Sequence, residues 1–397
     1  MRVVYYTYPH FLESAIQFSR ALCQRADFHL LLELSPSSWE RAMFDIKPVP
    51  LSAGIQPADP ILGCHFPPRI REYWRDLASF NLIVHTSRRS IHPTTWWISR
   101  GVVRFIRNLK PDIFHLDDPD MSLRLSLVVR EFDQGLLLLN VHDPSPHSGE
   151  RDWRKSLARS LIFPHVDHFI LHNQSQVKPF CYENHVDPDR VLAVRLGSYE
   201  LYRDWITSPI VQSDRTILFF GRLSSYKGLE VLYDAARLVA ERIPKMRFII
   251  AGRPEPKYVP PHVPVLARGG QIVLIDRYIG NTQLADLFQE ATIVACPYLD
   301  ATQSGVVLTA YAFNRPVVGS TVGGLPEYII HDRTGLLVPP GNSQQLAAAL
   351  LRLLLNEDLR REFQDQIRSL KADRFSWTRV ADQTINLYER AIASQRS

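Results

Sequence analysis

Residues 216–228 read TILFFGRLSSYKG: five residues of high strand propensity end at Gly221, and two cations, Arg222 and Lys227, follow. The pattern predicts a buried strand over 216–220, a sharp turn at Gly221 and a helix over 229–243. A strand that passes through a short turn into a helix is the repeating unit of a parallel sheet with crossover helices. The segment therefore predicts the α/β class.

The same unit recurs along the chain in two series. In the first series we expect helices at 13–26, 96–109 and 152–163 and strands at 2–7, 28–34, 82–85, 113–116, 136–142, 168–172 and 191–195. In the second we expect helices at 229–243 and 306–313 and strands at 216–220, 247–251, 273–275, 293–296 and 316–320. The aperiodic stretch 197–215 predicts a hinge between a first domain (1–207) and a second (208–375), and the last helix, within 376–397, is expected to pack back on the first domain. Open α/β sheets bind ligands beyond the carboxyl ends of their strands, so the cleft between the domains is the expected site.

Composition excludes several classes of protein. The chain has 397 residues, of which 45% are hydrophobic and 22% charged, so a disordered chain, a fibrous repeat or a small disulfide-stapled module is not expected. The formal net charge of +5 favours anionic ligands without predicting a nucleic-acid partner, since no binding motif accompanies it. The four cysteines form no Cys-x-x-Cys pair, and the apolar runs are far shorter than the roughly 20 residues that span a bilayer. Without a signal-like start, we expect a cytoplasmic protein, at most peripheral to the inner face of a membrane.

Gly221, Arg222 and Lys227 have the chemistry of an anion site. Glycine lets the backbone turn off the strand, arginine offers a planar fork to phosphate oxygens, and lysine adds a point charge near the start of the next helix. A diphosphate is the ligand we expect, and we call Arg222 and Lys227 the cation clamp. The alternative is a solvated turn that carries surface charges.

A second loop, Ala301 to Gly305, leads from a predicted strand into a predicted helix. Ser304 and Gly305 fall where a helix N-terminus presents free N–H groups, which suit phosphate or sugar oxygens. The alternative is that Ser304 only caps the helix.

With these motifs the sequence resembles the retaining family-4 glycosyltransferases (glycosyl transferases group 1), which have the GT-B fold of two facing Rossmann-like domains. The likeness covers most of the second domain and is looser in the first, where it rests on His142-Asp143-Pro144 and Gly197. The blocks that carry it are Gly221-Arg222 with Lys227-Gly228, Ala251-Gly252, Tyr298 to Phe313, Arg315 to Val318, Gly323 to Glu327 and Thr334 to Val338.

The resemblance implies a donor site and a reaction. The second domain would bind a nucleotide-sugar, with the cation clamp and the Ser304-Gly305 backbone on its diphosphate, and no metal or other cofactor would be required because cations and a helix dipole neutralise the leaving group. His142 and Asp300 would hold the donor sugar, with Asp143 orienting His142. The implied donor-binding set is Gly221, Arg222, Lys227, Ile279, Ser304, Gly305 and Thr309.

One departure from the family concerns two glutamates that it usually carries eight positions apart. Counting back from Pro316 places Thr309 at the second position, and the nearest acidic residue to the first is Asp300. Thr309 offers a ribose one neutral hydroxyl, so nucleotide binding and activity both depend on how that loss is compensated.

Other polar residues are weaker candidates. His10, His147 and Glu150 are expected on the acceptor side of the cleft. The cluster Asp117-Asp118-Pro119-Asp120 is interpreted as a solvated turn rather than a metal site, Glu13 as a first-turn residue that favours the helix dipole, and Glu327 as a helix-start or surface residue.

Arginines interleave with aromatic residues in two nearby segments. The set is Arg69, Arg71, Arg75, Arg88 and Arg89 with Tyr73, Trp74, Trp96 and Trp97. Such a surface suits contact with a membrane that carries a lipid-linked acceptor, but long side chains also cover ordinary helices.

The expected activity is transfer of a sugar, with retention, from a nucleotide diphosphate sugar to an acceptor hydroxyl in polysaccharide or glycolipid synthesis. Two alternatives stay open: a non-catalytic nucleotide-sugar-binding subunit, and another GT-B activity such as epimerisation.

Overall fold

The computed structural model describes residues 1–39, 51–90, 92–118, 123–144 and 153–396. The strands are β1 (Arg2–Thr7), β2 (Asp27–Leu34), β3 (Gly54–Pro57), β4 (Ser79–Val84), β5 (Ile113–Asp117), β6 (Leu136–Val141), β7 (His168–Leu171), β8 (Val191–Ala193), β9 (Thr216–Phe220), β10 (Arg247–Ala251), β11 (Gln271–Ile275), β12 (Ile293–Cys296), β13 (Val317–Ser320) and β14 (Gly335–Val338). The helices are α1 (Leu12–Leu22), α2 (Pro36–Trp39), α3 (Asp59–Leu62), α4 (Pro68–Arg71), α5 (Pro93–Leu109), α6 (Arg124–Arg130), α7 (Trp153–Ile162), α8 (Val177–Asn184), α9 (Leu229–Arg242), α10 (Asn281–Glu290), α11 (Gly305–Ala312), α12 (Leu325–Tyr328), α13 (Ser343–Leu355), α14 (Glu357–Ala372) and α15 (Trp377–Arg396).

Two sheets organise these elements. The first has the order β3-β4-β2-β1-β5-β6-β7-β8 and the second β11-β10-β9-β12-β13-β14. Every pairing is parallel except that of the edge strand β3 with β4. The apolar runs form parallel strands because helices on both faces bury them. The α/β prediction is confirmed, whereas β3 and β14 were not expected from the sequence.

Helices cover both faces of the first sheet. Apolar residues of α5, α6, α7 and α8 pack against one face in a single buried cluster. The last helix, α15, packs against α1 on the other face, and its Tyr388 hydroxyl is hydrogen-bonded to His115 of β5. Trp377 Nε1, at the start of α15, donates to the carbonyl oxygen of Ser198 at 2.8 Å. The final helix therefore contacts the first sheet.

The carboxyl ends of the two sheets meet. Residues just after β7 contact residues after β12 and β13: Asn173 Nδ2 donates to the Thr302 carbonyl at 2.6 Å, and the Tyr328 hydroxyl donates to the His172 carbonyl at 2.9 Å. Parallel strands end at a common edge, so these contacts bring the loop edges of both sheets to one cleft.

Candidate active site

Glu327 joins the two domains directly. Its carboxylate accepts hydrogen bonds from the backbone N–H groups of Gln174 and Ser175 at 2.9 and 2.8 Å, and Arg195 lies 3.2 Å away. Burial alone would raise the pKa of Glu327, but these N–H donors and the arginine charge lower it below its ordinary value. The prediction of a helix-start residue is confirmed, because Glu327 lies in the first turn of α12. The alternative of a surface residue is wrong, because its side chain is only 15% exposed.

The lysine of the cation clamp lies beside the Ser304 loop. Lys227 Nζ is 3.8 Å from the centroid of the buried Tyr298 ring, and the Tyr298 hydroxyl lies 3.4 Å from Ser304 Oγ. The ammonium is attracted to the face of the ring, which fixes its position without neutralising its charge. One tyrosine therefore connects Lys227 to the N-terminus of α11.

Glycine at two positions lets these loops come close. Gly221 has φ +113°, and a Cβ there would lie 3.4 Å from Val306 Cγ2 in the first turn of α11. Gly228 has φ +68°, and a Cβ would lie 2.0 Å from the Pro297 carbonyl oxygen. A side chain at Gly228 would thus force apart the loops after β9 and β12.

Arg222 lies on the outer side of the same loop. Its Nη1 is 3.5 Å from Glu255 Oε1, and its side chain is 65% exposed. Exposed ion pairs contribute about 0–1 kcal/mol, less than the roughly 1.5–3 kcal/mol of a hydrogen bond to a charged group. The ion pair with Glu255 is therefore a weak constraint on Arg222.

The N-terminus of α11 has no side-chain cap. Ser304 is the N-cap residue, but its side chain makes no hydrogen bond to the first-turn N–H groups, so the capping interpretation is wrong. A helix start without such a cap presents backbone donors of the kind that bind phosphate.

Two other predicted donor residues are less accessible. The Thr309 hydroxyl donates to the Gly305 carbonyl at 2.9 Å within α11, and only 4% of the residue is exposed. Ile279, just before α10, is buried. Asp300 is partly exposed in the loop after β12, between the segments that hold Tyr298 and Ser304.

In the first domain a buried carboxylate contacts His142. Asp117, the last residue of β5, has Oδ1 2.8 Å from His142 Nε2, and Thr7 Oγ1 donates to its Oδ2 at 2.6 Å. Tyr5 and Asn140 also donate to Asp117 Oδ1, at 2.9 and 3.0 Å. Sequence reasoning missed Asp117. The sequence feature that could have identified Asp117 is its position at the end of a predicted strand, next to the strand that leads to His142.

The charge of Asp117 is stabilised where it lies. Burial would raise its pKa, but the hydrogen bond and charge of His142 and the hydrogen bond from Thr7 lower the pKa to about 2. The His142 ring also stacks on Phe11, with centroids 3.7 Å apart. His142 is thus fixed by an anion on one nitrogen and by a ring on its face.

The predicted solvated turn at Asp117-Asp118 is wrong for both residues, because each is at most 2% exposed. Asp118 lies 2.5 Å from Arg159 Nη2 and 3.3 Å from Lys155 Nζ. Pro119 and Asp120 lie outside the described residues.

Asp143 makes a contact between the domains. Its Oδ1 accepts the Thr302 hydroxyl, whereas the His142 Nε2 hydrogen bond is made to Asp117. Orientation of His142 through Nε2 therefore belongs to Asp117 rather than to Asp143.

The acceptor-side candidates have different outcomes. The His10 ring lies 4.1 Å from that of Phe11, which stacks on His142, whereas His147 and Glu150 lie outside the described residues.

Glu13 is buried against the Tyr202 hydroxyl at 3.3 Å, and burial raises its pKa to about 8. Glu13 lies in the first turn of α1, as predicted. Burial favours its neutral form, however, which weakens the expected interaction of its charge with the helix dipole.

The predicted aromatic and basic surface is divided. Tyr73 and Trp74 are buried, with hydrogen bonds to Asp204 and Asp59 at 3.0 and 3.1 Å, and so cannot meet a membrane, whereas Trp96 and Trp97 are exposed. Among the described residues, no helix combines the length and apolar character needed to cross a bilayer.

Comparison with known proteins supports the resemblance of the second domain to glycosyltransferases. Residues 214–356 match the family model described as Glycosyl transferases group 1. The chain is 29% identical over 262 residues to the D-inositol 3-phosphate glycosyltransferase of Corynebacterium glutamicum, a match that covers 62% of each protein. It is 32% identical over 184 residues to an uncharacterised glycosyltransferase of Methanocaldococcus jannaschii, covering 46% of this chain and 47% of that one. The chain thus spans less than two thirds of these relatives.

Solved structures match along nearly the whole chain. Anabaena HepE in complex with UDP-glucose has a TM-score of 0.66 at 16% identity, covering 98% of this chain and all of that one (100%). Sucrose-phosphate synthase from Thermosynechococcus elongatus has a TM-score of 0.65 at 16% identity, covering 99% and 100%. With its two sheets of parallel strands, the first of which adds one antiparallel edge strand, the chain has the GT-B fold, as expected.

Proposed function

We propose that this protein is a retaining glycosyltransferase that moves a sugar from a nucleoside diphosphate sugar to an acceptor hydroxyl. The observation that carries the proposal is the placement of Lys227 beside the N-terminus of α11, at the sheet edge that meets the edge holding His142. Cations and backbone N–H groups favour a diphosphate on one side of the cleft, and a fixed imidazole favours a sugar on the other.

In the proposed reaction the bond between the anomeric carbon and the β-phosphate oxygen breaks, and a bond from that carbon to the acceptor oxygen forms on the same face. The electron pair of the breaking bond leaves with the nucleoside diphosphate, and the acceptor proton passes to the leaving phosphate oxygen. Arg222, Lys227 and the first N–H groups of α11 stabilise the growing negative charge. His142, held by Asp117, positions the sugar, and Asp300 is the proposed second sugar contact.

UDP-sugars are the first donors to test, because Anabaena HepE, with the same fold, was crystallised with UDP and UDP-glucose. The proposed acceptor is a sugar or lipid-linked hydroxyl, with a role in polysaccharide or glycolipid synthesis. We propose that the reaction needs no metal or other cofactor, since the clamp and α11 supply positive charge at the leaving group.

The test is a double variant, Arg222→Ala with Lys227→Ala, assayed by calorimetry with UDP and by UDP release from UDP-sugars. Two charge-assisted contacts of about 1.5–3 kcal/mol each imply a loss of roughly 10²- to 10⁴-fold in UDP affinity. Arg361→Ala with Arg368→Ala is the matched control, because these exposed arginines lie on α14 of the same domain. Unchanged affinity and transfer in a folded clamp variant would refute the proposal.

The buried hydroxyl of Thr309 favours a second candidate, a nucleotide-sugar-binding subunit without catalysis. Thr309 takes the place of a family glutamate, and its hydroxyl is already bonded within α11. Such a subunit would bind the donor by calorimetry and release no free nucleotide with any acceptor tested. Product analysis would in turn separate transfer from epimerisation.

A further inference from the structure

One face of the first domain exposes large apolar side chains. Of the tryptophan side chains that the structure describes, the three most exposed lie on two helices: Trp96 (50%) and Trp97 (64%) on α5, and Trp153 (68%) on α7. Leu157 and Leu161, four and eight residues after Trp153, are also exposed and continue its stripe along α7. Large apolar side chains exposed together on one face are typical of an interaction surface.

The two helices cover the same face of the sheet. Ile98, Val102 and Val103 of α5 and Ile162 of α7 belong to one buried cluster, and α6 lies between the helices in contact with both. Crossover helices run opposite to their strands, so Trp96, Trp97 and Trp153, in the first turns, lie toward the carboxyl edge of the sheet. His142 follows β6 at that same edge.

The face is basic as well as apolar. Neither α5 nor α7 contains an acidic residue, and together they carry six cations: Arg100, Arg104, Arg107, Arg154, Lys155 and Arg159. The guanidinium groups of Arg100 and Arg154 lie over the Trp96 and Trp153 rings, at 4.4 and 5.3 Å from their centroids.

Acidic side chains of the described residues pair with four of these cations. Asp133 pairs with Arg107, Asp118 with Lys155 and Arg159, and Glu131 lies 4.0 Å from Arg100. The exposed residue Arg89, which precedes α5, is a further cation at this face.

We propose that this face, defined by Trp96, Trp97, Arg104, Trp153 and Leu157 and called the α5–α7 face, docks on an anionic lipid surface. Indole rings partition into the interfacial layer of a bilayer, leucines reach the acyl boundary, and arginines pair with acidic headgroups. A nucleic acid would use the charge and leave the leucine stripe exposed. The cleft edge of the first sheet then lies near the bilayer, which favours a lipid-linked acceptor. That last step rests on the proposed transferase, whereas the docking itself does not.

The experiment measures sedimentation of the full chain with vesicles of phosphatidylglycerol and phosphatidylcholine (1:1) and of phosphatidylcholine alone, with tryptophan fluorescence recorded in parallel. The wild type should bind the anionic vesicles, with a blue shift in emission and weaker binding at high salt. Trp97→Ala with Trp153→Ala should lower affinity at least tenfold, and Arg104→Gln about fivefold, the effect of one cation at an anionic surface.

Val259→Ser with Val265→Ser is the control, because these exposed side chains lie in the second domain. It should bind vesicles as the wild type does. Equal binding by the Trp97/Trp153 variant, or no binding by the wild type, would overturn the docking proposal. So would self-association in sedimentation velocity that the tryptophan changes abolish, since a second copy would then be the partner. UDP affinity, measured separately, should stay unchanged in every α5–α7 variant, so failure of docking is distinguishable from failure of the transferase proposal.

Discussion

Replacing Asp117 with asparagine tests whether the buried carboxylate positions His142 for the reaction. The change keeps the shape of the side chain but removes the charge that accepts hydrogen bonds from Tyr5, Thr7, Asn140 and His142. Hydrogen bonds to a charged group contribute roughly 1 kcal/mol more than neutral ones, so the loss over these four bonds is about 4 kcal/mol of stability.

The catalytic effect should be separable from that loss of stability. A histidine that no longer holds its position should cost about 100-fold in kcat, while UDP affinity stays within about threefold because the cation clamp lies in the other domain. The assays are urea denaturation, UDP calorimetry and UDP release at saturating donor.

Glu33→Gln is the matched control. Glu33 is another buried carboxylate of the first sheet, bonded to the Tyr6 hydroxyl at 2.6 Å and to Arg124 at 3.2 Å. It should destabilise the protein without a comparable loss in kcat. If Asp117→Asn lowers stability and leaves kcat at the control's level, Asp117 is only a structural residue and the reasoning is refuted.

Substitutions at Glu13, Glu327 and Gly228 test three other contacts of the structure. Because burial raises the pKa of Glu13 from 4.5 to about 8, the folded state keeps a proton that the unfolded state releases, and stability should fall as the pH rises between those values. The upper bound is about 5 kcal/mol, and Glu13→Gln should flatten the slope in urea titrations at pH 5 and 8; an unchanged slope would contradict it. Glu327→Gln should cost about 2 kcal/mol in thermal denaturation, since two N–H groups lose a charged acceptor, and an unaltered Tm would argue against the interdomain role. Gly228→Ala should abolish measurable UDP binding and cost at least about 2 kcal/mol. Gly101→Ala, inside α5 where a Cβ meets nothing within 4 Å, should leave UDP binding unchanged and stabilise the protein by up to about 1 kcal/mol. If Gly228→Ala binds UDP as tightly as the wild type does, the claim that a side chain at position 228 forces apart the loops after β9 and β12 is contradicted.

The sequence was sufficient for features that depend on local pattern. The strands 2–7, 216–220, 247–251 and 293–296 were predicted with the bounds that the structure has, because continuous apolar runs are required of strands buried on both faces. The edge strand β3 was missed because it is short, partly exposed and ends in Pro57, which removes a donor from the ladder.

Features that depend on contacts distant in sequence were not predictable in the same way. Asp117 precedes another aspartate and a proline, which is typical of a turn, yet its partner in the sheet is Asn140 and its side chain faces His142. Glu13 lies in the first turn of a helix, where an acidic side chain is ordinarily charged and exposed. The Tyr202 hydroxyl, from a residue distant in sequence, contacts its carboxylate in the buried interior. In each case tertiary burial overrides a local preference. For Asp117 the only sequence signal was its position at the end of a strand, and for Glu13 the local pattern does not indicate the contact with Tyr202.

The most direct test of the central claim is a crystal structure of the protein with UDP bound. We expect diphosphate oxygens within about 3.2 Å of Lys227 Nζ, of an Arg222 nitrogen and of the Gly305 backbone N–H. A diphosphate bound elsewhere, with Arg222 still on Glu255 and Lys227 only on Tyr298, would contradict it.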